Sequence, residues 1–367
     1  MKRRIKSNKN PARLGRCRIR HAARTAVWAA VCLAGCATPA RPSAPSGAAG
    51  LSDPNTLAAY LRQEPAVRQV EPWGNPYGPG LAISTAHYRL YTTHLEPLTL
   101  RQMPSFLESA FRAYQSQLPQ PLPCPEPFVV YLFGTRSQWE AFTRAATGAD
   151  AEVYLKIQAG AYAVNGACVA YDIGRRQTFS VLGHEGWHQF NQRLFVYRLP
   201  SWLDEGIATL FETCRYEQGR FLFDPASNLM RLGGLKQTLL AGRLIPLEPL
   251  LLLNPGQVLD GYGGDPNGAS AFYAQVYGLV RFLREERYGI RLRAYHALLL
   301  GAAHGDWPLE ETLLKTAADR RIPLTVSWNR QVSQALFDYY FGQDRTALDT
   351  EYQAFCQKIT YPVRLKQ

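Results

Sequence analysis

His184-Glu185-Gly186-Trp187-His188, with Trp202-Leu203-Asp204-Glu205-Gly206 after it, is the stretch whose reading decides the fold. Two histidines four apart on a helix share one face, one turn above the other. Imidazoles so placed can both reach a single zinc ion. Glu185 is one step round the helix, beside the metal, where it can take a proton from a water molecule. Gly186 inside a helix costs about 1 kcal/mol relative to Ala, which points to close approach of another backbone.

The flanks agree with this reading. Gln177 to Gly183 is mostly apolar and free of proline, as expected for the first turns of a partly buried helix. Leu199 to Glu212 reads as a second helix, with Pro200 in its first turn, where the missing N–H is not needed. Sixteen residues separate His188 from Glu205, enough to end one helix, turn, and bring the next alongside. Glu205 then supplies a third zinc ligand and leaves a fourth position for water, the arrangement of catalytic rather than structural zinc. Glu212, seven residues on, falls on the same helical face and is placed to accept the free N–H of a ligand histidine. Asp204 is expected to cap or to face water. Trp187 and Trp202 are expected in the core.

HEGWH followed by WLDEGIATLFE resembles the gluzincin metallopeptidases, and within them the bacterial peptidase MA-like domains. The likeness is tight over residues 184–212 and looser from about 86 to 300. It implies His184, His188 and Glu205 as zinc ligands and Glu185 as general base. It also implies an oxyanion-facing group on Phe272 to Leu283, which resembles the family's Y-A-Q-x-Y helix. Tyr273 is favoured for that role, with Tyr277, one turn on, as the alternative. The family lays its substrate along an edge strand beside the zinc helix. Gly160–Val164 and Ala167–Asp172, joined at Asn165-Gly166, read as a hairpin able to supply that edge. The chain departs from the aminopeptidase N-like pattern here. Gly-Ala-Tyr-Ala-Val-Asn stands where those enzymes carry a Glu for the substrate's amino group, which disfavours aminopeptidase activity.

Residues 1–25 hold ten Lys/Arg and no acid, and Ala26 to Gly35 is apolar but too short to span a bilayer. The run ends in Leu33-Ala34-Gly35-Cys36. This is a secretory signal pattern, and L-A-G-C resembles the bacterial lipobox. The resemblance implies cleavage before Cys36, lipidation of that residue, and anchoring on the extracytoplasmic side of a bacterial membrane, the outer membrane in a Gram-negative host. The leader carries ten of the chain's twelve net positive charges. No basic stripe with interleaved aromatics follows, so nucleic acid is not an expected partner. Cys124, Cys168, Cys214 and Cys356 remain beyond the leader. An oxidising compartment allows two disulfides among them, with Cys124–Cys168 and Cys214–Cys356 the expected pairs.

The organisation expected is a signal peptide (1–35), a lipidated Cys and tether (36–52), an α+β part with both motif helices (53–220) and a mostly helical C-terminal part (221–367). His87–Tyr91 and Pro127–Phe133 read as strands, Ser137–Ala146 as a helix, and Leu98–Leu118 as a helix interrupted near Pro104. A Gly-rich loop is expected at Asn254–Ser270. The fold class is α+β, zincin-like: a mixed sheet with an edge strand beside the HExxH helix, then helices. The function expected is a lipid-anchored zinc peptidase acting on peptide or protein substrates, with Zn2+ as cofactor. Two other readings stay open: a non-catalytic envelope lipoprotein that binds peptides or cell-wall material, and a zinc hydrolase acting on a non-peptide bond.

Overall fold

Short apolar runs with period-two alternation become the strands of one mixed sheet. The computed structural model describes residues 53–157, 160–164, 166–259, 268–322 and 325–365. The leader, Cys36, the tether, Asn165 and residues 260–267 of the expected Asn254–Ser270 loop lie outside them; of the rest of that loop, Pro255–Leu259 is a short helix and Gly268 opens another. The strands are β1 (Gln69–Pro72), β2 (Leu81–Ser84), β3 (Tyr88–Thr92), β4 (Phe128–Phe133), β5 (Ala161–Val164) and β6 (Ala167–Tyr171), in spatial order β1-β2-β3-β4-β6-β5. β3, β4 and β6 run parallel, with Leu90 opposite Val130 and Val130 opposite Cys168. The other pairs are antiparallel, so β5 closes one edge of the sheet as the outer arm of a hairpin. Gly166, at a φ of 76°, supplies the left-handed residue of that turn. A separate hairpin, β7 (Cys214–Glu217) and β8 (Arg220–Phe223), precedes a largely helical C-terminal region.

The crossover from β3 to β4 is the helix Pro97–Gln115, and it runs unbroken through Pro104. An interruption there was the expectation. An internal proline costs about 3 kcal/mol, but this helix buries Leu100, Met103, Phe106, Leu107, Ala110, Phe111 and Tyr114 on one face. At about 1.5–3 kcal/mol for each large apolar side chain, that burial outweighs the lost hydrogen bond. Glu96 caps the helix by accepting from the amides of Leu98 and Thr99. The second crossover opens with the helix Arg136–Thr147, which begins in a capping box between Thr135 and Gln138.

One hydrophobic cluster runs from Leu57 through the sheet to Val363 in the C-terminal region, and a second gathers Phe133, Trp139, Tyr154, Tyr162 and Val169. The four cysteines are free thiols, and the expected pairs Cys124–Cys168 and Cys214–Cys356 are not joined. Three of the sulfurs have identifiable surroundings. Cys124 Sγ faces the Glu126 carbonyl at 3.3 Å, and Cys168 is sealed under the sheet in β6. Cys356 packs between Gly278 and Tyr352. Burial pushes the Cys214 thiol up to about 11 and the Cys356 thiol up to about 12, so both are poor nucleophiles.

Candidate metal site

The HExxH segment sits in the middle of the helix Arg175–Leu194, which is buried on all sides from Val181 to Asn191. That pattern belongs to a helix wrapped by the rest of the protein, not to a surface helix whose polar residues face water. One side packs on β5, β6 and the helix Pro97–Gln115; the other meets the helix Ser201–Ala208. Gln189 ties the helix to the sheet, its Nε2 donating to the carbonyls of Val129 and Gly166, each at 2.7 Å.

Glycines set how closely these elements approach. A Cβ on Gly183 would lie 2.3 Å from the Phe211 carbonyl oxygen, and one on Gly206 2.6 Å from that of Val276. At Gly186 the neighbour is a side chain, the Tyr114 hydroxyl, 2.4 Å from where a Cβ would stand. Close approach was expected at Gly186 alone, and there it comes from a phenol rather than a backbone; at Gly183 and Gly206 a backbone carbonyl makes it. The same hydroxyl donates to the Gly183 carbonyl at 2.7 Å.

This packing gathers His184, His188 and Glu205. One ligand atom from each lies within 4.8 Å of the others, and all three residues are buried. Glu205 Oε2 is 3.2 Å from His184 Nε2 and 3.7 Å from His188 Nε2. It nevertheless has no aligned hydrogen-bond donor. Two imidazole nitrogens and a buried carboxylate oxygen converging on one point are a donor set that suits a divalent metal. These residues form a buried group that could hold a metal ion.

The outward nitrogens are also fixed. His184 Nδ1 is 3.0 Å from Glu212 Oε1, and His188 Nδ1 is 3.0 Å from Asp204 Oδ1. Donation from each Nδ1–H leaves the Nε2 lone pairs directed at the shared point. Glu212 is itself held by Arg231 and by Asn228, whose Nδ2 donates at 2.9 Å. Asp204 is held by Asn191, whose Nδ2 donates at 2.7 Å. Asp204 is thus neither a cap nor a solvent residue, contrary to the expectation from the sequence. It is one of a pair of carboxylates that orient the two imidazoles. The signal lay in Asn191, three residues after His188 and so on the same helical face. Glu212 reaches His184 by a route the spacing did not foresee. The helix stops at Ala208, and a tight turn over Thr209–Phe211 delivers Glu212.

Electrostatics follow from this crowding. Burial opposes charge on His184, but Glu205 and Glu212 outweigh it and push the imidazole up to about 9. His188 rises well above its ordinary value for the same reason, with Asp204 and Glu205 as partners. Burial also works against the Glu205 carboxylate, yet His188 and His184 draw it down to about 2. Glu212 is likewise drawn down to about 2 by Arg231 and His184 against the cost of burial. Glu185 differs. It is about 1% exposed, neither carboxylate oxygen has a hydrogen-bond partner, and burial pushes it up to about 7.

The two expected tyrosines part company. Tyr273 lies at the site, its ring edge-on to His184 with centroids 6.3 Å apart and the Arg231 guanidinium 5.0 Å from its centre. Tyr277 is turned away. Its hydroxyl donates to the Pro225 carbonyl at 2.6 Å and accepts from Arg281 at 2.8 Å.

Asp204→Ala is expected to lower metal affinity about 10- to 100-fold, the usual effect of losing a carboxylate behind a ligand histidine. Competition with a chromogenic chelator measures it, and affinity equal to wild type would remove Asp204 from the site. Compared with protein-family models, with curated proteins and with solved structures, the chain matches none.

Proposed function

We propose that the chain is a zinc-dependent peptidase of gluzincin type, held by a lipid at Cys36 on the extracytoplasmic side of a bacterial membrane. The observation that carries the reading is the Glu185 carboxylate, buried and unpartnered beside the His184–His188–Glu205 cluster. A purely structural metal site has no use for it. Leaving a buried polar group unsatisfied costs about 1–3 kcal/mol, and more for a charge, and such groups concentrate where chemistry needs them.

The donor set fits Zn2+, with His184, His188 and Glu205 holding the ion. When bound, zinc polarises a carbonyl and makes a nearby water acidic. The chain's own residues account for the rest. Glu185 accepts the proton from the attacking water at a carboxylate oxygen and returns it to the leaving amine. The raised affinity of Glu185 for protons suits both halves of that transfer near neutral pH. Asp204 and Glu212 keep the imidazoles in one tautomer. Tyr273, on the helix Gly268–Glu285, is the group we assign to the oxyanion, because the Tyr277 hydroxyl is already engaged. β5 is the edge strand that packs against the metal-site helix, and it is the strand we assign to backbone pairing with an extended peptide. The lipid anchor rests on residues 26–36, and no helix among the described residues is long and apolar enough to cross a membrane.

A panel of quenched fluorescent peptides, assayed with and without 1,10-phenanthroline, tests the reading. Chelator-sensitive cleavage restored by added zinc is the expected result. Zinc-dependent hydrolysis of esters alone would move the assignment to a non-peptide bond. Peptide binding without turnover would support a non-catalytic receptor.

A further inference from the structure

A second pocket, besides the metal site, opens beside the turn that follows the helix Ser201–Ala208. It lies between the helix Pro97–Gln115, the turn Thr209–Phe211, β8 and the far end of the helix Gly268–Glu285, and encloses about 360 Å³. That size is within the range of small-molecule sites, about 300–1,000 Å³. Arg284 is eleven residues beyond Tyr273 on one helix, about 16 Å along its axis, and none of His184, Glu185, His188, Glu205 and Tyr273 lines the pocket.

Its walls have one polarity. Arg112, Arg220 and Arg284 all line it, and no acidic residue does. None of the three is in an ion pair with a carboxylate among the described residues. Arg284 Nε is shielded from solvent and has no hydrogen-bond acceptor. Ser109, about 4% exposed, accepts hydrogen bonds from Arg112 Nη2 at 3.0 Å and from the Phe221 amide at 3.2 Å. With both roles as acceptor filled, its own O–H is left to donate into the pocket. Ser116 and Gln117 add neutral polar groups, and an apolar stretch of wall is formed by Leu210, Phe211, Phe221, Phe223 and Pro225.

Three guanidinium groups brought together without a counter-charge repel one another, and a buried donor without an acceptor is costly. Both costs are removed by one anion with several acceptor oxygens. Guanidinium forks match phosphate oxygens in pairs, and three cations are better neutralised by a phosphate than by a single carboxylate. The apolar wall then holds the uncharged part of the same molecule. We propose that this pocket binds a phosphate ester with an apolar substituent, through Arg112, Arg220, Arg284 and the Ser109 hydroxyl. Two sources share that chemistry: a free organic phosphate and an anionic phospholipid headgroup.

Calorimetric titration of the purified full chain with octyl phosphate, below its micelle concentration and at low salt, tests the site, with octanol as the neutral control. Sedimentation with phosphatidylglycerol or phosphatidylcholine vesicles distinguishes the sources. The variants are Arg284→Gln and, to leave the half-buried Arg284 untouched, the exposed pair Arg112→Gln/Arg220→Gln. Octyl phosphate is expected to bind wild type and to bind each variant at least about tenfold more weakly, in line with loss of a charge-assisted hydrogen bond of roughly 1.5–3 kcal/mol. Loss of phosphatidylglycerol binding in the same variants would identify a headgroup, and its absence a free ester. Octanol binding as tightly as octyl phosphate, equal binding by the exposed-pair variant, or no binding of either phosphate probe would overturn the proposal.

Discussion

Glu185→Gln is expected to take up zinc as wild type does and to hydrolyse peptides about 10²- to 10⁴-fold more slowly. The amide has the shape of the carboxyl group but cannot accept a proton. Glu185 is not among the three converging ligand residues, so the metal loses no donor. No hydrogen bond in the fold depends on either of its oxygens, and the neutral side chain relieves a buried, unpaired carboxylate. The variant therefore folds at least as well as wild type, which separates a chemical defect from a structural one. The measurements are kcat with the best peptide of the panel and zinc content of the same preparation. Undiminished turnover would remove Glu185 from the role of general base.

The second large effect is on stability, and its sign depends on where a glycine sits. Gly183→Ala is expected to destabilise the protein by about 1–3 kcal/mol, the usual cost of overpacking. The new Cβ would lie 2.3 Å from the Phe211 carbonyl oxygen, a backbone atom that cannot swing aside. Moving Phe211 also moves Glu212, which orients His184, so metal affinity should fall with stability. Gly233→Ala has the opposite expectation. Gly233 is inside the helix Leu229–Leu240, and an added Cβ there meets nothing within 4 Å. Only the helix preference remains, and it favours Ala by up to about 1 kcal/mol. Urea midpoints of the two variants against wild type check both. A stable Gly183→Ala protein would mean that the motif helix and the turn over Thr209–Phe211 are farther apart than described.

The sequence was most legible where periodicity and chemistry coincide. The HExxH helix, its three gathered residues and the β5–β6 hairpin could be read because four-residue spacing, a carboxylate on the next helix and an Asn-Gly turn each have a direct physical meaning. Asp204 was misread because its role depends on which way the helix Ser201–Ala208 is rotated against Asn191 and His188, a tertiary fact at which Asn191 gives only a partial hint. Pro104 was misread because a local rule was applied without the apolar face that overrides it. The disulfide expectation rested on an even count of cysteines, and pairing depends on where β7 and the C-terminal helices pack. The arginines of the second pocket are scattered over 172 positions from Arg112 to Arg284, and only folding brings them together.

Zinc content, measured by mass spectrometry on wild type and on Glu205→Ala prepared identically, tests the central claim most directly. The account predicts about one zinc per wild-type chain and a drop in affinity of at least about 100-fold when the Glu205 carboxylate is removed from the His184–His188 pair. Wild-type protein that never retains zinc, or a Glu205→Ala protein that holds it as tightly, would contradict the account.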